Sequence, residues 1–154
     1  MTSLTSTIGV ESPRQPEIEE LLRQGDEYTL GLYPPESCHL LSIDELEQPG
    51  VTVFVARLDG VAVGTAAIVD RGDGSAELKR MFVADAARGQ GTGRLLLTKI
   101  EDFARNSGIR LIQLETGPLQ HAALALYERC GYELIPNFGK YAGDDNSVCY
   151  EKAL

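Results

Sequence analysis

The chain has 154 residues, the length of one ordinary domain, and at this size folding takes roughly two-thirds of the unfolded surface out of water, so a core forms without metals or disulfides. Its 43% hydrophobic and 24% charged residues exclude a disordered chain, and a single domain over residues 1–154 is expected. A formal net charge of -9 repels nucleic acid and anionic membrane surfaces unless one face is locally basic; it either favours amine-bearing partners or simply keeps the chain soluble.

The N-terminal stretch from Met1 to Thr7 lacks a basic region followed by an apolar run, so no secretory signal is expected, and no apolar stretch is long enough for a bilayer span. Thr5 to Val10 reads as a short first strand. Pro16 opens a helical pattern with Ile18, Leu21 and Leu22 on one face and Glu17, Glu19 and Glu20 near its start, where carboxylates suit the helix dipole. That pattern fades at Gly31 and breaks at Pro34-Pro35. A second short helix is predicted from Ile43 to Glu47, capped by Ser42 with Glu45 three residues on, and ended by Pro49-Gly50.

The middle of the chain reads as an antiparallel run. Val51 to Leu58 is apolar and β-branched, Asp59-Gly60 is a hairpin signal, Val61 to Val69 returns with an interruption at Gly64, and after a turn at Asp70–Gly74 a third strand runs from Ala76 to Val83. Beyond a glycine-rich loop the period changes: Leu96, Ile100 and Phe103 fall at helical spacing up to Asn106-Ser107-Gly108. Ile109 to Thr116 alternates like a strand, Leu119 to Cys130 is helical and closed by Gly131, and Tyr132 to Ile135 and Ser147 to Lys152 are the last strands, around a loop from Pro136 to Asn146. The expected fold class is α/β (α+β), one mixed, mostly antiparallel twisted sheet with helices on both faces. Cys38, Cys130 and Cys149 are odd in number and without C-x-x-C spacing, so no zinc site, no other metal and no disulfide framework is expected, and a reducing cytoplasm is the simplest setting.

Arg88-Gly89-Gln90-Gly91-Thr92-Gly93 lies between a predicted strand and a predicted helix. Glycines at alternate positions let the backbone approach an anion and take positive φ, and the free amides and dipole of the following helix favour negative charge. A phosphate is the natural guest, unless the segment is only a flexible connection. The spacing is not G-x-G-x-x-G, no parallel βαβ unit precedes it and no Gly-Lys-Ser/Thr ends it, which argues against a dinucleotide fingerprint and a nucleotide P-loop.

Arg88 to Gly93 resembles the R/Q-x-x-G-x-G/A signature of the GCN5-related N-acetyltransferases. Glu77-Leu78-Lys79-Arg80-Met81-Phe82-Val83 resembles the strand that precedes that signature, and Leu126-Tyr127-Glu128-Arg129-Cys130-Gly131-Tyr132 resembles a later segment of the same family. The resemblance covers most of the chain from Val51 onward. It implies acetyl-CoA as the cofactor, with the backbone of Arg88, Gly89, Gln90, Gly91, Thr92 and Gly93 on the pyrophosphate, joined by Arg94. It places main-chain groups of Met81, Phe82 and Val83 on the pantetheine arm, the Val83 amide as an oxyanion donor, and Gln120 and Ala123 where the family carries an Asn and an Ala that touch the same arm. Tyr127 matches the usual general acid, the alternative being a core tyrosine. Glu77 is the first candidate for the base that takes the amine's proton, with Glu115 as its rival, and the amine attacks the thioester directly in a ternary complex.

The early helices and the last hairpin shape the acceptor site in this family, which directs attention to Tyr33, Glu36, Glu115, Phe138 and Tyr141, and to Arg80 as a carboxylate binder on one face with Leu78 and Phe82. The segment Pro136 to Tyr141 followed by Asp144-Asp145 also resembles a bacterial small-molecule subgroup. A small-molecule amine or amino acid is the expected acceptor. Acetylation of protein N-termini or lysines, and an acyl-CoA-binding module without turnover, stay open, as does the choice between monomer and homodimer.

Overall fold

The computed structural model describes residues 6–154, and its elements follow the hydrophobic periods of the sequence. In chain order they are strand β1 (Ser6–Val10), helices α1 (Pro16–Leu30) and α2 (Ile43–Leu46), strands β2 (Val51–Leu58), β3 (Val61–Asp70) and β4 (Ser75–Val83), helix α3 (Thr92–Asn106), strand β5 (Leu111–Thr116), helix α4 (His121–Arg129), and strands β6 (Glu133–Ile135) and β7 (Val148–Ala153). Short 3₁₀ turns occupy Pro35–Ser37, Asp85–Ala87 and Gly139–Tyr141. The expected first strand starts at Thr5, which lies outside the described residues.

Local chemistry sets the boundaries. Asp59 and Gly60 both take positive φ, 50° and 83°, the turn that matches strand twist and joins β2 to β3. Ser42 Oγ accepts from the Glu45 amide while Glu45 Oε1 accepts from the Ser42 amide, so the predicted capping box opens α2. Several expected elements are shorter than the sequence suggests, α2 and β6 by one residue each and two others by more. Ile109 and Arg110 precede β5, and Leu119-Gln120 form part of the turn before α4, where the Gln120 side chain is used.

The strands form one sheet in the order β1-β2-β3-β4-β5-β7-β6. All neighbours are antiparallel except β4 and β5, which the α3 crossover makes parallel. One face carries the larger core, where Leu96, Leu97, Ile100 and Ala104 of α3 meet Ile68, Leu78, Ile112 and Leu114. The other is covered by α1 and α2, with Ile18, Leu22 and Leu46 against Val53, Val55 and Ala67. The sheet is therefore sandwiched by helices on both faces, as the pattern predicts.

Two irregularities position the site. The β4–β5 ladder runs only from Ser75 opposite Leu111 to Leu78 opposite Leu114, whereas β5 continues against β7 to Thr116. Past Leu78 the two parallel strands part. At the same level β4 bulges: Thr65 pairs with Phe82 and Ala67 with Lys79, so Arg80 and Met81 together oppose one residue of β3, and Arg80 takes φ 58°. The bulge breaks strict alternation, so Arg80 does not share a regular strand face with Leu78 and Phe82 as expected.

Candidate active site

A cleft of about 480 Å³ opens where β4 and β5 part. Its walls come from α1 (Leu22, Gly25, Tyr28), the bulged end of β4 (Arg80 to Val83), the glycine loop and α4 (Ala122, Ala123, Leu126, Arg129). Gly89 and Gly91 both take φ 78°, and a side chain at either would meet no atom within 4 Å, so these glycines serve backbone conformation and leave open space. Gly91 caps α3, whose ladder starts with the Leu95 amide donating to the Gly91 carbonyl; the amides of Thr92, Gly93 and Arg94 precede that ladder at the cleft. Gly93 is glycine for another reason. It is helical, and a Cβ there would sit 2.9 Å from Leu126 Cδ2, so its bareness lets α4 close against α3.

Arg94 and Arg129 put positive charge on the wall. Arg88 is more constrained: it pairs with Asp85 at 3.1 Å, donates to the Val83 carbonyl and lies over the Tyr28 ring. Open glycine backbone, a helix N-terminus and two cations suit a pyrophosphate, and the apolar trough beyond suits an extended thiol-bearing arm. Gln120 faces that trough with its orientation fixed, because Oε1 accepts from the Gly117 amide at 2.9 Å and the Thr116 hydroxyl at 3.3 Å, leaving the amide NH₂ as the free end.

The α1 side of the parted strands holds a polar cluster assembled from distant segments. Glu77 Oε2 accepts from the Tyr141 hydroxyl at 2.6 Å, with Lys79 Nζ at 3.6 Å, and Glu77 Oε1 lies 3.4 Å from Arg71. Lys79 Nζ donates to Tyr141 Oη at 2.7 Å and to the His39 carbonyl at 2.9 Å. Burial, more than any neighbour, depresses the Lys79 ammonium below the ordinary lysine range, and burial again raises the Tyr141 phenol. The Asn137 amide holds the 136–147 loop by donating to the carbonyls of Tyr141, Asp144 and Ser147. Phe138 packs edge-on against Tyr141 beneath Arg71.

Glu115 is set apart. Its Oε2 accepts from the Ser147 hydroxyl at 2.7 Å, and among the described residues no ion pair engages it. Desolvation, reinforced by Glu77 and Asp144 and opposed by the Ser147 bond and Lys79, pushes it up to about 7. Tyr33 fills the floor beside it: its hydroxyl accepts from the Leu119 amide at 2.9 Å, and its ring takes the space that a Gly117 side chain would need.

The acetyltransferase (GNAT) family model matches residues 16–132, three-quarters of the chain and every residue that lines the cleft. The chain belongs to the GNAT acetyltransferase family. It is an acetyl-CoA-dependent acetyltransferase. An Azospirillum brasilense protein named IAA acetyltransferase is 44% identical over 149 residues, covering 96% of this chain and 97% of that one. A solved structure from Klebsiella pneumoniae, assigned to the acyl-CoA N-acyltransferases, superposes with a TM-score of 0.85 at 35% identity over 97% of each chain. PaiA N-acetyltransferase of Thermoplasma acidophilum, solved with coenzyme A, shares the fold at a TM-score of 0.74 and 16% identity, over 96% of this chain and 99% of that one.

In this GNAT chain, Met81, Phe82, Val83, Arg88, Gly89, Gly91, Thr92, Gly93, Arg94, Gln120 and Ala123 all line the one cleft. Gln90 does not; its amide turns back to the Ala86 carbonyl. Tyr127 does not either. Its ring packs among Tyr132 and Tyr150, although Ala123 and Cys130, one turn to either side on α4, both face the cleft. Burial raises its phenol well above the ordinary tyrosine value, with Glu115 the next contributor. Of the acceptor candidates, Glu77, Glu115, Phe138 and Tyr141 converge on one cluster, Tyr33 closes its floor, and Glu36 stands exposed on the Pro35–Ser37 turn. Arg80 differs from its expected role: its guanidinium pairs with Asp26 and donates to the Leu22 carbonyl, so it is engaged within the fold rather than open to a carboxylate. Lys79, Ser147 and Asp26 were not visible as partners in the sequence. Only Lys79 carried a signal, standing two residues from Glu77 on a strand.

Proposed function

We propose that this enzyme acetylates the amine of a small molecule, with Glu115 taking the proton from the amine and Tyr127 supplying one to the departing thiolate. The observation that carries this reading is Glu115, a half-buried carboxyl that no ion pair engages among the described residues, raised to about 7, on β5 just past Leu114 where the strands part. A carboxyl with that affinity for protons is matched to general-base work near neutral pH. Glu77, the first candidate from the sequence, is held by Tyr141, Arg71 and Lys79 and serves as a structural anion of the acceptor wall.

Open glycine backbone and the arginines Arg94 and Arg129 hold acetyl-CoA in this reading, and the Val83 amide faces the developing oxyanion. When bound, acetyl-CoA supplies an acetyl carbonyl carbon to the amine and a thiolate leaving group. Glu115 removes a proton from the incoming ammonium so that the nitrogen lone pair is free. The Tyr127 phenol, kept protonated by burial, donates to sulfur as the carbon–sulfur bond breaks, and the phenolate so formed takes the second proton that the nitrogen sheds on becoming an amide. The acceptor wall favours a small molecule over a protein segment, because Asn137 and Tyr141 fold the 136–147 loop across it and Tyr141 is 1% exposed. With Arg80 engaged by Asp26, an amine without a carboxylate is favoured over an amino acid.

The test is thiol release from acetyl-CoA over a panel of alkyl amines, polyamines, amino acids, a lysine peptide and, given the name of the Azospirillum relative, IAA. Turnover is expected on a simple amine and to be absent on the peptide. Turnover on the peptide alone overturns the small-molecule reading, and binding without turnover on any acceptor overturns the catalytic one.

A further inference from the structure

Two non-glycine residues among those described have positive φ. Asp59 lies in a two-residue hairpin, where that conformation belongs. Arg80, at 58°, lies within a strand, with a Cβ that makes the left-handed region unfavourable. Something must hold it there, and three contacts converge on it. The Arg80 carbonyl accepts from the Thr65 hydroxyl at 3.1 Å, its guanidinium pairs with Asp26, and it donates to the Leu22 carbonyl at 3.1 Å. The side chain is 5% exposed, and its Nε is buried without a partner. Asp26 and Leu22 both belong to α1. On the same helix Gly25 faces Phe82, the ring lying 3.4 Å from where a Cβ would stand. Helix α1 is thus seated at the bulge, by an ion pair to Arg80 within it and a bare glycine over Phe82, the first residue paired after it.

The consequence lies next along the strand. Because Arg80 is left-handed, Met81, Phe82 and Val83 turn out of register and line the cleft. We propose that Arg80 and Asp26 form a latch that holds the bulge of β4, and so act as positioning residues for the main-chain groups that receive the acyl-CoA arm. This rests on the assignment of the cleft to acetyl-CoA. The latch also makes α1, a wall of the cleft, part of the device that shapes the opposite wall.

The proposal separates conformation from side-chain chemistry, and glycine provides the test. Calorimetric titration of coenzyme A would be run on the native chain, Asp26→Asn, Arg80→Ala, Arg80→Gly and Ala123→Trp, with folding checked by circular dichroism. Asp26→Asn changes a residue whose side chain is 42% exposed and leaves its shape intact, so it reports even if the Arg80 variants fold poorly. Asp26→Asn and Arg80→Ala are each expected to raise the Kd for coenzyme A about tenfold, near 1.4 kcal/mol. Arg80→Gly is expected to return it to within about threefold of the native value, because glycine takes the left-handed region without help. In turnover, KM for acetyl-CoA should rise in Asp26→Asn while KM for the amine stays put. Native affinity in both Asp26→Asn and Arg80→Ala would overturn the latch, as would Arg80→Gly binding no better than Arg80→Ala. Unchanged binding in Ala123→Trp would instead remove the cleft assignment itself, a separate failure.

Discussion

The two sides of this site are built by different means. The donor cleft is made largely of backbone from one continuous stretch, Arg80 to Arg94, with α4 laid against it. Its determinants are glycine conformations and a helix N-terminus, which are local properties of the chain. The acceptor wall is made of side chains from four separated segments, and its central bonds span 32 or more positions: Tyr141 to Glu77, Lys79 to His39, Ser147 to Glu115. The first arrangement suits an anionic, extended ligand. The second tunes single titratable groups, which local sequence cannot do, because burial and neighbours arrive only with the fold.

If that division is real, acceptor-wall chemistry can be removed without touching the donor. Glu115→Gln keeps the size of the side chain and an acceptor for Ser147 but cannot take a proton. It is expected to lower kcat/KM for the amine by about 10²–10⁴-fold while the Kd for coenzyme A stays native. The native enzyme's kcat/KM should climb as pH rises through about 7, the value at which Glu115 ionises, and that inflection should vanish in the variant. An equal loss of coenzyme A binding would break the comparison, and a native rate would remove Glu115 from the chemistry.

A smaller effect probes the join between the two sides. Gly117 connects β5 to the Gln120 turn of the donor cleft, and Tyr33 of the acceptor floor lies against it. A Cβ on Gly117 would stand 1.9 Å from Tyr33 Oη and 2.1 Å from Cζ, so Tyr33 must leave and the Leu119 amide loses its acceptor. Gly117→Ala is expected to destabilise by about 1–3 kcal/mol, a fall of several degrees in Tm. Adding Tyr33→Ala to Gly117→Ala should cost little beyond Tyr33→Ala alone, since the clash is then gone. Additive losses would show that Gly117 is required for its own backbone rather than for the ring.

The same division explains what was legible. Element order, the capping box at Ser42, the Asp59-Gly60 turn and the glycine loop follow from propensity and period, and the structure shows each of them. The residues expected at the cofactor also line one cleft, apart from Gln90, whose amide finds a nearer carbonyl at Ala86, and Tyr127, which packs among Tyr132 and Tyr150. The bulge was hidden because nothing in Leu78-Lys79-Arg80-Met81 announces a left-handed arginine; Asp26, 54 residues away, supplies the reason. Preference for Glu77 over Glu115 likewise came from position along a strand. Their difference lies in the company they keep, Lys79, Arg71 and Tyr141 around one and a serine hydroxyl beside the other.

The last effect is on stability, and its sign is diagnostic. An exposed glutamate in the unfolded chain titrates at 4.5, and Glu115 is raised to about 7 in the folded chain, so between those values the folded state holds a proton that the unfolded state has released. Its contribution to stability is therefore fully present below about 4.5, declines as pH rises, and is lost once pH passes about 7. Gln, neutral throughout, escapes that decline. Glu115→Gln should thus leave Tm near native at pH 4.5 and raise it at pH 8, when scans of both proteins are compared across this range. An ordinary salt-bridged carboxylate would behave in the opposite way, the variant losing Tm at pH 8 because a paired charge had been removed. That outcome would mean Glu115 is held as an anion by a cation such as Lys79, and would return the role of proton acceptor to another group on the acceptor wall.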